Sequence, residues 1–322
     1  MKLPIKAAAA VAGTSALAVA GLLASRIMNK TVQKRSPPSG RLVEVNGTRL
    51  HVLQQGSGPD VLLIHGALMI ADEMILSLRD ALPGCRITAI DRPGHGRSDK
   101  RRRPSIHDQA ELFHAAALQL GLRAPVLVGH SLGGAVALAY GQRFAQDISG
   151  VVAVAPLAYP GWGLAHLGRA LRGAPLLGPA LSNTTLALSD PAMVRAVLPL
   201  IFSPQKPTPA FRAAIDIDLL SRPYAMVADG ADFTRASLDL RKLSRGYSDY
   251  PAALHVVVGE KDRILKPSRQ GGRLARAVPS AQLTTVPGKG HMVHHFAPEA
   301  IGIAVADVRA RALAPEPLAQ AA

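Results

Sequence analysis

One cysteine, Cys85, stands in 322 residues. No internal disulfide can form, and a multi-cysteine zinc site is excluded. Cys85 precedes the apolar run from Ile87 to Ile90 and reads as a small buried residue. Aromatic residues make up only 4 % of the chain. A nucleic-acid surface interleaves basic with aromatic side chains, so this scarcity argues against nucleic acid as a partner, despite a net charge of +15. Acid is missing altogether up to Arg41, a stretch that holds Lys2, Lys6, Arg26, Lys30, Lys34, Arg35 and Arg41. Internal repeats are not apparent.

Between Lys6 and Arg26 runs an uncharged stretch, Ala7 to Ser25. A membrane span needs about twenty residues at 1.5 Å rise each, and this stretch just reaches that length. Two readings compete. One is a retained single-pass anchor. The other is a cleaved secretory signal with Ala18-Val19-Ala20 at the cleavage site, which would leave a secreted or periplasmic product. Arg26, Lys30, Lys34 and Arg35 resist translocation of the downstream chain, which favours the anchor and leans the domain that follows toward the cytoplasmic side. Residues 1–30 are therefore expected to be an anchor or signal, residues 31–40 a linker around Pro37-Pro38, and residues 313–322 a frayed tail. Lys100-Arg101-Arg102-Arg103 reads as a solvated loop, with anionic lipid headgroups as its functional alternative.

Asn46-Gly47 separates Arg41-Leu42-Val43-Glu44-Val45 from Thr48-Arg49-Leu50-His51-Val52-Leu53, a strong hairpin signal. Strand-like apolar runs come next at Val61 to Ile64, Ile87 to Ile90, Val126 to Val128, Val151 to Val154, Val256 to Val258 and Leu283 to Val286, with Thr88, Thr284 and Thr285 their polar members. Such runs suit strands buried on both faces. Helical stretches, for example Asp108 to Gly121 and Leu132 to Phe144, lie between them. The alternation predicts an α/β fold with a doubly wound, mostly parallel sheet and the hairpin as its antiparallel edge. The alternation breaks between Pro156 and Tyr250, where helical pieces such as Trp162 to Leu171 and Pro191 to Leu200 are expected.

Gly129-His130-Ser131-Leu132-Gly133 succeeds a strand and opens a helix. A serine on so tight a turn is lifted out of the sheet toward a pocket, and the glycines permit the close approach of strand and helix. Gly259-Glu260-Lys261-Asp262 places a carboxylate just past another strand, and Gly288-Lys289-Gly290-His291 places an imidazole past the last. A serine hydroxyl needs an imidazole to take its proton, and the imidazole needs a carboxylate to hold its tautomer. Ser131, Asp262 and His291 are the candidates for nucleophile, orienting acid and general base. Asp262 is preferred over Glu260, and His291 over His95, His130, His294 and His295. His294 and His295 are expected to begin the next helix, His95 to fix a turn, and Asp91 to brace its loop through Arg92 or Arg97. His291 and His295 have a metal-like spacing without the glutamate of a zinc protease, so no metal and no cofactor are expected.

These segments, together with His65-Gly66-Ala67 and Asp91-Arg92-Pro93-Gly94-His95-Gly96-Arg97-Ser98, resemble the α/β-hydrolase superfamily from about Arg41 to about Arg309. The resemblance implies a hydrolase core over residues 41–156 and 251–312, with a helical cap over residues 157–250. It implies an oxyanion hole from the backbone N–H groups of Leu132 and Ala67, with Leu68 next in line. His65 ends its strand and reads as structural. A His-Gly-Gly-Gly form is absent, which argues against bulky tertiary-alcohol esters. Relatives with an aspartate nucleophile, such as haloalkane dehalogenases, differ at the position of Ser131, so acyl chemistry is favoured. Leu68, Trp162, Phe202, Phe211, Tyr224 and Met226 are candidates to line the pocket, with plain packing as their simpler reading.

The expectation is a membrane-tethered serine hydrolase that cleaves small-molecule carboxylic esters. The alternatives are a perhydrolase or carbon–carbon hydrolase with the same residues, or a binding protein that kept the fold without turnover.

Overall fold

The computed structural model describes residues 19–28, 30–31, 40–101, 104–161 and 171–313. Asn46 and Gly47, at φ 49° and 72°, turn β1 (Arg41–Val45) into β2 (Thr48–Gln55). Both residues take the positive φ that a two-residue hairpin of this twist requires. The remaining strands are β3 (Asp60–Ile64), β4 (Arg86–Ile90), β5 (Val126–His130), β6 (Gly150–Val154), β7 (Leu254–Gly259) and β8 (Gln282–Val286). They form one sheet in the order β1-β2-β4-β3-β5-β6-β7-β8. β1 and β2 are the antiparallel edge, β2 also runs antiparallel to β4, and every other pairing is parallel.

The helices are α1 (Ala71–Leu78), α2 (Ile106–Gln119), α3 (Leu132–Arg143), α4 (Leu177–Asn183), α5 (Asp190–Phe202), α6 (Pro209–Ala214), α7 (Ile217–Leu220), α8 (Pro223–Leu243), α9 (Gly271–Ala277) and α10 (Pro298–Leu313). The central strands are buried because helices cover both faces of the sheet. Leu62 and Ile64 of β3 pack with Phe113, Val136 and Leu240, whereas Val61 and Leu63 pack with Met74, Leu78, Ile301 and Val305. Successive side chains of a strand point to opposite faces, so an unbroken apolar run feeds both cores. α2 starts at Ile106 rather than Asp108 because Ser105 and Asp108 close a capping box.

Between β6 and β7 the described residues are helical and contain no strand. This cap comprises α4 to α8. The helix expected over Pro191 to Leu200 is seen as α5; the one expected over Trp162 to Leu171 lies, but for Leu171, outside the described residues. Val194, Leu198, Phe202, Phe211 and Met226 of the cap share one buried apolar cluster with Leu68, Met69, Ile70 and Met292 of the core. That shared cluster seats the cap over the end of β3 and the loop after β8.

The amino-terminal expectation of a membrane span finds no support among the described residues. No helix among the described residues is long and apolar enough to cross a membrane. Residues 19–28 are helical, and Gly21 and Ser25 are buried. A Cβ on Gly21 would collide with the Thr184 carbonyl, so this helix end lies against the cap. Met28 packs beside the apolar cluster that joins cap and core. Most of the stretch Ala7 to Ser25, the linker residues 32–39, Arg102, Arg103 and the tail 314–322 lie outside the described residues.

Candidate active site

Ser131 sits between β5 and α3 at φ 53° and ψ −116°, a conformation an L-residue adopts only under constraint. The constraint is visible. Its N–H donates to Val154 O at 3.0 Å, and its carbonyl accepts from Gly134 N and Leu157 N, both at 3.0 Å. Gly133 lets α3 come this close, since a Cβ there would collide with the carbonyls of Ile64 and His65. Leu132 is the first helical residue, so its N–H has no intrahelical partner and stands at the positive end of the helix dipole.

The turn after β3 lies beside this elbow. A Cβ on Gly66 would stand 3.1 Å from Ser131 Cβ, so the Gly66–Ala67 peptide flanks the nucleophile candidate. Leu68 takes φ 56°, a second constrained residue at the same end of the sheet. His65 is buried, and its Nε2 accepts from the Arg92 N–H at 2.9 Å. Its proton is therefore on Nδ1, which donates to Gly66 O at 2.8 Å. Burial and the Arg92 charge lower its pKa to about 4, which keeps the ring neutral. The structural role expected for His65 is what the contacts show.

Asp262 and His291 meet. His291 Nδ1 lies 2.8 Å from Asp262 Oδ2, and both side chains are buried. The other carboxylate oxygen accepts from Ile264 N at 2.8 Å and Leu265 N at 2.9 Å. Their two loops are laced together: Glu260 N donates to Val286 O, Lys261 N to Lys289 O, and Gly288 N to the Glu260 carboxylate. Glu260 thus holds a turn, and Asp262 faces the imidazole. His130, next to Ser131, bonds the His291 carbonyl through Nε2 at 3.2 Å, with the rings 4.8 Å apart. This brings the His291 loop to the end of β5. Among the described residues the Ser131 hydroxyl has no hydrogen-bond partner. Nucleophile–base bonds are often long in free enzymes and tighten around substrate.

The motifs carry no signal for Gln205. From the loop after α5 its Nε2 donates to Gly288 O at 2.8 Å, and its Oε1 accepts from Gly290 N at 3.1 Å. The cap thereby grips the loop one residue before His291.

His294 and His295 stand in a short 3-10 segment ahead of α10 rather than at the start of that helix. They form a short turn, Val293–His295, because both imidazoles are drawn inward to one carboxylate oxygen of Glu73, at 2.5 and 2.7 Å. Burial pushes the Glu73 carboxyl up, but His294 and His295 overcome it and hold its pKa well below the usual range. These three residues, like His51, Asp72 and Asp91, are close enough together to be considered for a metal ion. Two ligands about 2.0 Å from one tetrahedral ion stand roughly 3.3 Å apart. The Glu73 contacts are shorter and are those of hydrogen bonds. Asp91 accepts from His51 at 2.8 Å, Ala71 N at 2.8 Å and Arg97 N at 2.9 Å. It therefore braces its loop through Arg97, while Arg92 turns elsewhere. His95 fixes its turn, with Nδ1 3.2 Å from Pro93 O.

Of the pocket candidates, Leu68, Phe202, Phe211 and Met226 come together, buried, in the apolar cluster that includes Met292. Tyr224 stands outside that cluster, donates to Gly96 O at 2.8 Å and lines the separate cavity between the cap and the loop after β4. Trp162 lies outside the described residues. A cavity of about 180 Å³ opens between the cap and the loop after β4, lined among others by Pro93, Gly94, Ala228 and Asp232.

Comparison with known proteins agrees with this architecture. The dihydrolipoyllysine-residue acetyltransferase component of the acetoin cleaving system of Pseudomonas putida is 29 % identical over 82 % of this chain and 67 % of its own length. The crystal structure of the enol-lactonase from Burkholderia xenovorans LB400 superposes with a TM-score of 0.69 at 21 % identity, over 83 % of this chain and 99 % of its own. The crystal structure of a membrane phospholipase A, described as a bacterial virulence factor, gives a TM-score of 0.63 at 22 % identity over 96 % of both chains. At these identities the two structures speak for the fold alone. Residues 61–302 match the sequence pattern of the alpha/beta hydrolase family. With that match and the eight-stranded sheet bearing a serine elbow, the chain belongs to the alpha/beta hydrolase family.

Proposed function

We propose that this hydrolase cleaves carboxylic esters through an acyl-enzyme intermediate on Ser131. The observation that carries the proposal is the buried Asp262–His291 pair, held at the end of the sheet where Ser131 occupies its constrained elbow. Ser131 attacks the ester carbonyl while His291 takes the hydroxyl proton and passes it to the departing alcohol. Asp262 holds His291 in the tautomer with Nδ1 protonated and stabilises the imidazolium. The N–H groups of Leu132 and Ala67 receive the oxyanion. Losing one such donor costs about 2.7–4 kcal/mol of transition-state stabilisation. Water then attacks the acyl group, with His291 as general base. The core is assigned to residues 41–156 and 251–312, and the cap, residues 157–250, covers the site and excludes bulk water.

Ester chemistry is supported by the serine on its constrained elbow and by the imidazole–carboxylate pair at the same end of the sheet. Attachment to a membrane surface is the companion reading. It rests on the basic, acid-free amino terminus.

Labelling with a fluorophosphonate probe tests the proposal. Wild-type protein is expected to be labelled and Ser131→Ala to be blank. A folded wild-type protein that takes no label would sink the assignment. A p-nitrophenyl ester series then ranks acyl length, and hydrogen-peroxide dependence would reveal a perhydrolase. Fractionation with intact-mass analysis tests the tether, and a mature chain starting near Gly21 refutes it.

A further inference from the structure

Arg92 is wholly buried at the end of β4. A charge there is costly unless it is paired and hydrogen-bonded. Its Nη1 donates to Asp232 Oδ2 of α8 at 2.6 Å and to Gln109 Oε1 of α2 at 3.2 Å. Its Nη2 donates to Gly66 O at 3.3 Å and lies 3.3 Å from His95 Nε2. Gln109 also donates to the second oxygen of Asp232, at 3.0 Å. Burial raises the Asp232 pKa to about 6, which leaves it a carboxylate at neutral pH.

Gly66 O is the informative partner. It collects the Nδ1–H of His65 and the guanidinium of Arg92. This carbonyl shares one planar amide with the N–H of Ala67. In a trans peptide the two groups point in opposite directions, so pinning the oxygen fixes where the N–H aims. A cation on the oxygen also draws density from the amide and makes its N–H a stronger donor. The same peptide flanks Ser131.

We infer that Arg92 is the positioning residue of the oxyanion hole, holding and polarising the Gly66–Ala67 peptide while the cap carboxylate Asp232 holds Arg92 in place. The inference rests on the proposed role of Ala67. It makes the cap part of the catalytic apparatus as well as its cover. If Arg92 and Asp232 merely tied the cap to the core, their loss would lower stability and leave transition-state affinity alone.

The test uses the full chain with two variants. Arg92→Met/Asp232→Leu removes both charges together, a replacement that buried ion pairs often tolerate. Asp232→Asn keeps shape and loosens the hold on Arg92. For each, kcat and KM on p-nitrophenyl butyrate, the inhibition constant of butaneboronic acid and the melting temperature are measured. Boronate adds to the serine and places an oxygen in the hole, so it reports the donors directly. In the double variant, kcat and boronate affinity are expected to fall together by about tenfold or more, with KM within about twofold. Asp232→Asn is expected to show the same joint fall, smaller in size, and it carries the test if the double variant does not fold. Wild-type boronate affinity in the folded variants overturns the inference, whatever happens to kcat. If wild-type protein neither reacts with a fluorophosphonate nor hydrolyses esters, the proposed function fails first and this inference falls with it.

Discussion

His291 Nδ1 stands 2.8 Å from Asp262 Oδ2, and the second oxygen of Asp262 is held by the N–H groups of Ile264 and Leu265. The carboxylate is thus fixed at one oxygen and committed to the imidazole with the other. Asp262→Asn keeps the shape and presents the wrong group to Nδ1. The expected result is a fall in kcat of about 10⁴, with the melting temperature little changed. Ester hydrolysis at more than about a tenth of the wild-type rate would show that another group orients His291.

Gln205 spans two backbone groups of the His291 loop from the cap side. Gln205→Ala removes two hydrogen bonds of about 1 kcal/mol each. A looser loop lets His291 sample unproductive positions. The expected outcome is a three- to tenfold drop in kcat, roughly, with a smaller change in KM. Steady-state kinetics at saturating ester decide this, and an unaltered kcat rules out the coupling.

Gly133 has no room for a methyl group beneath the carbonyls of Ile64 and His65. Gly133→Ala must push α3 away from β3, and the elbow moves with it. A loss of about 2 kcal/mol or more is expected in urea unfolding. Fluorophosphonate labelling of the folded fraction should slow in parallel. Unchanged stability would mean that the approach of α3 to β3 is wrong.

Acid should destabilise the protein well above the usual carboxylate range. Burial lowers the pKa of His65 to about 4 and also lowers those of His95, His130 and His294. An unfolded histidine titrates near 6.5. Between those values the unfolded chain binds protons that the native state refuses, so stability falls as pH falls. His65 alone contributes about 3 kcal/mol to this loss. Asp232 acts in the opposite sense, since its native pKa of about 6 lies above the unfolded value and the native state gains as pH drops through that range. Asp72 and Asp190, also raised by burial, act with Asp232, while Glu73 and Asp91, held low, act with the four buried imidazoles, and the balance is a net loss. Urea midpoints at pH 7 and pH 4.5 measure it, and equal midpoints would contradict it.

Much of this enzyme is written locally. Apolar runs mark strands covered on both faces, and Asn46-Gly47 demands a hairpin, because each signal depends only on adjacent residues. Ser131, Asp262 and His291 each come within a few residues of a strand's end, so their motifs could be found before the structure brought Asp262 and His291 into contact. Other features are pairings across the chain. Arg92 meets Asp232 at 140 residues' distance, and Glu73 meets His294 at 221. Gln205 reads as one more polar residue in a proline-rich loop. An interaction between distant residues leaves no periodicity in either neighbourhood; it exists only after the sheet order has placed β4 beside β3 and the cap has folded back over both. Sequence therefore determined which strands form and which groups could do the chemistry. Tertiary structure alone decided what holds those groups, because only packing joins the cap to the turn after β3 and to the loop of His291.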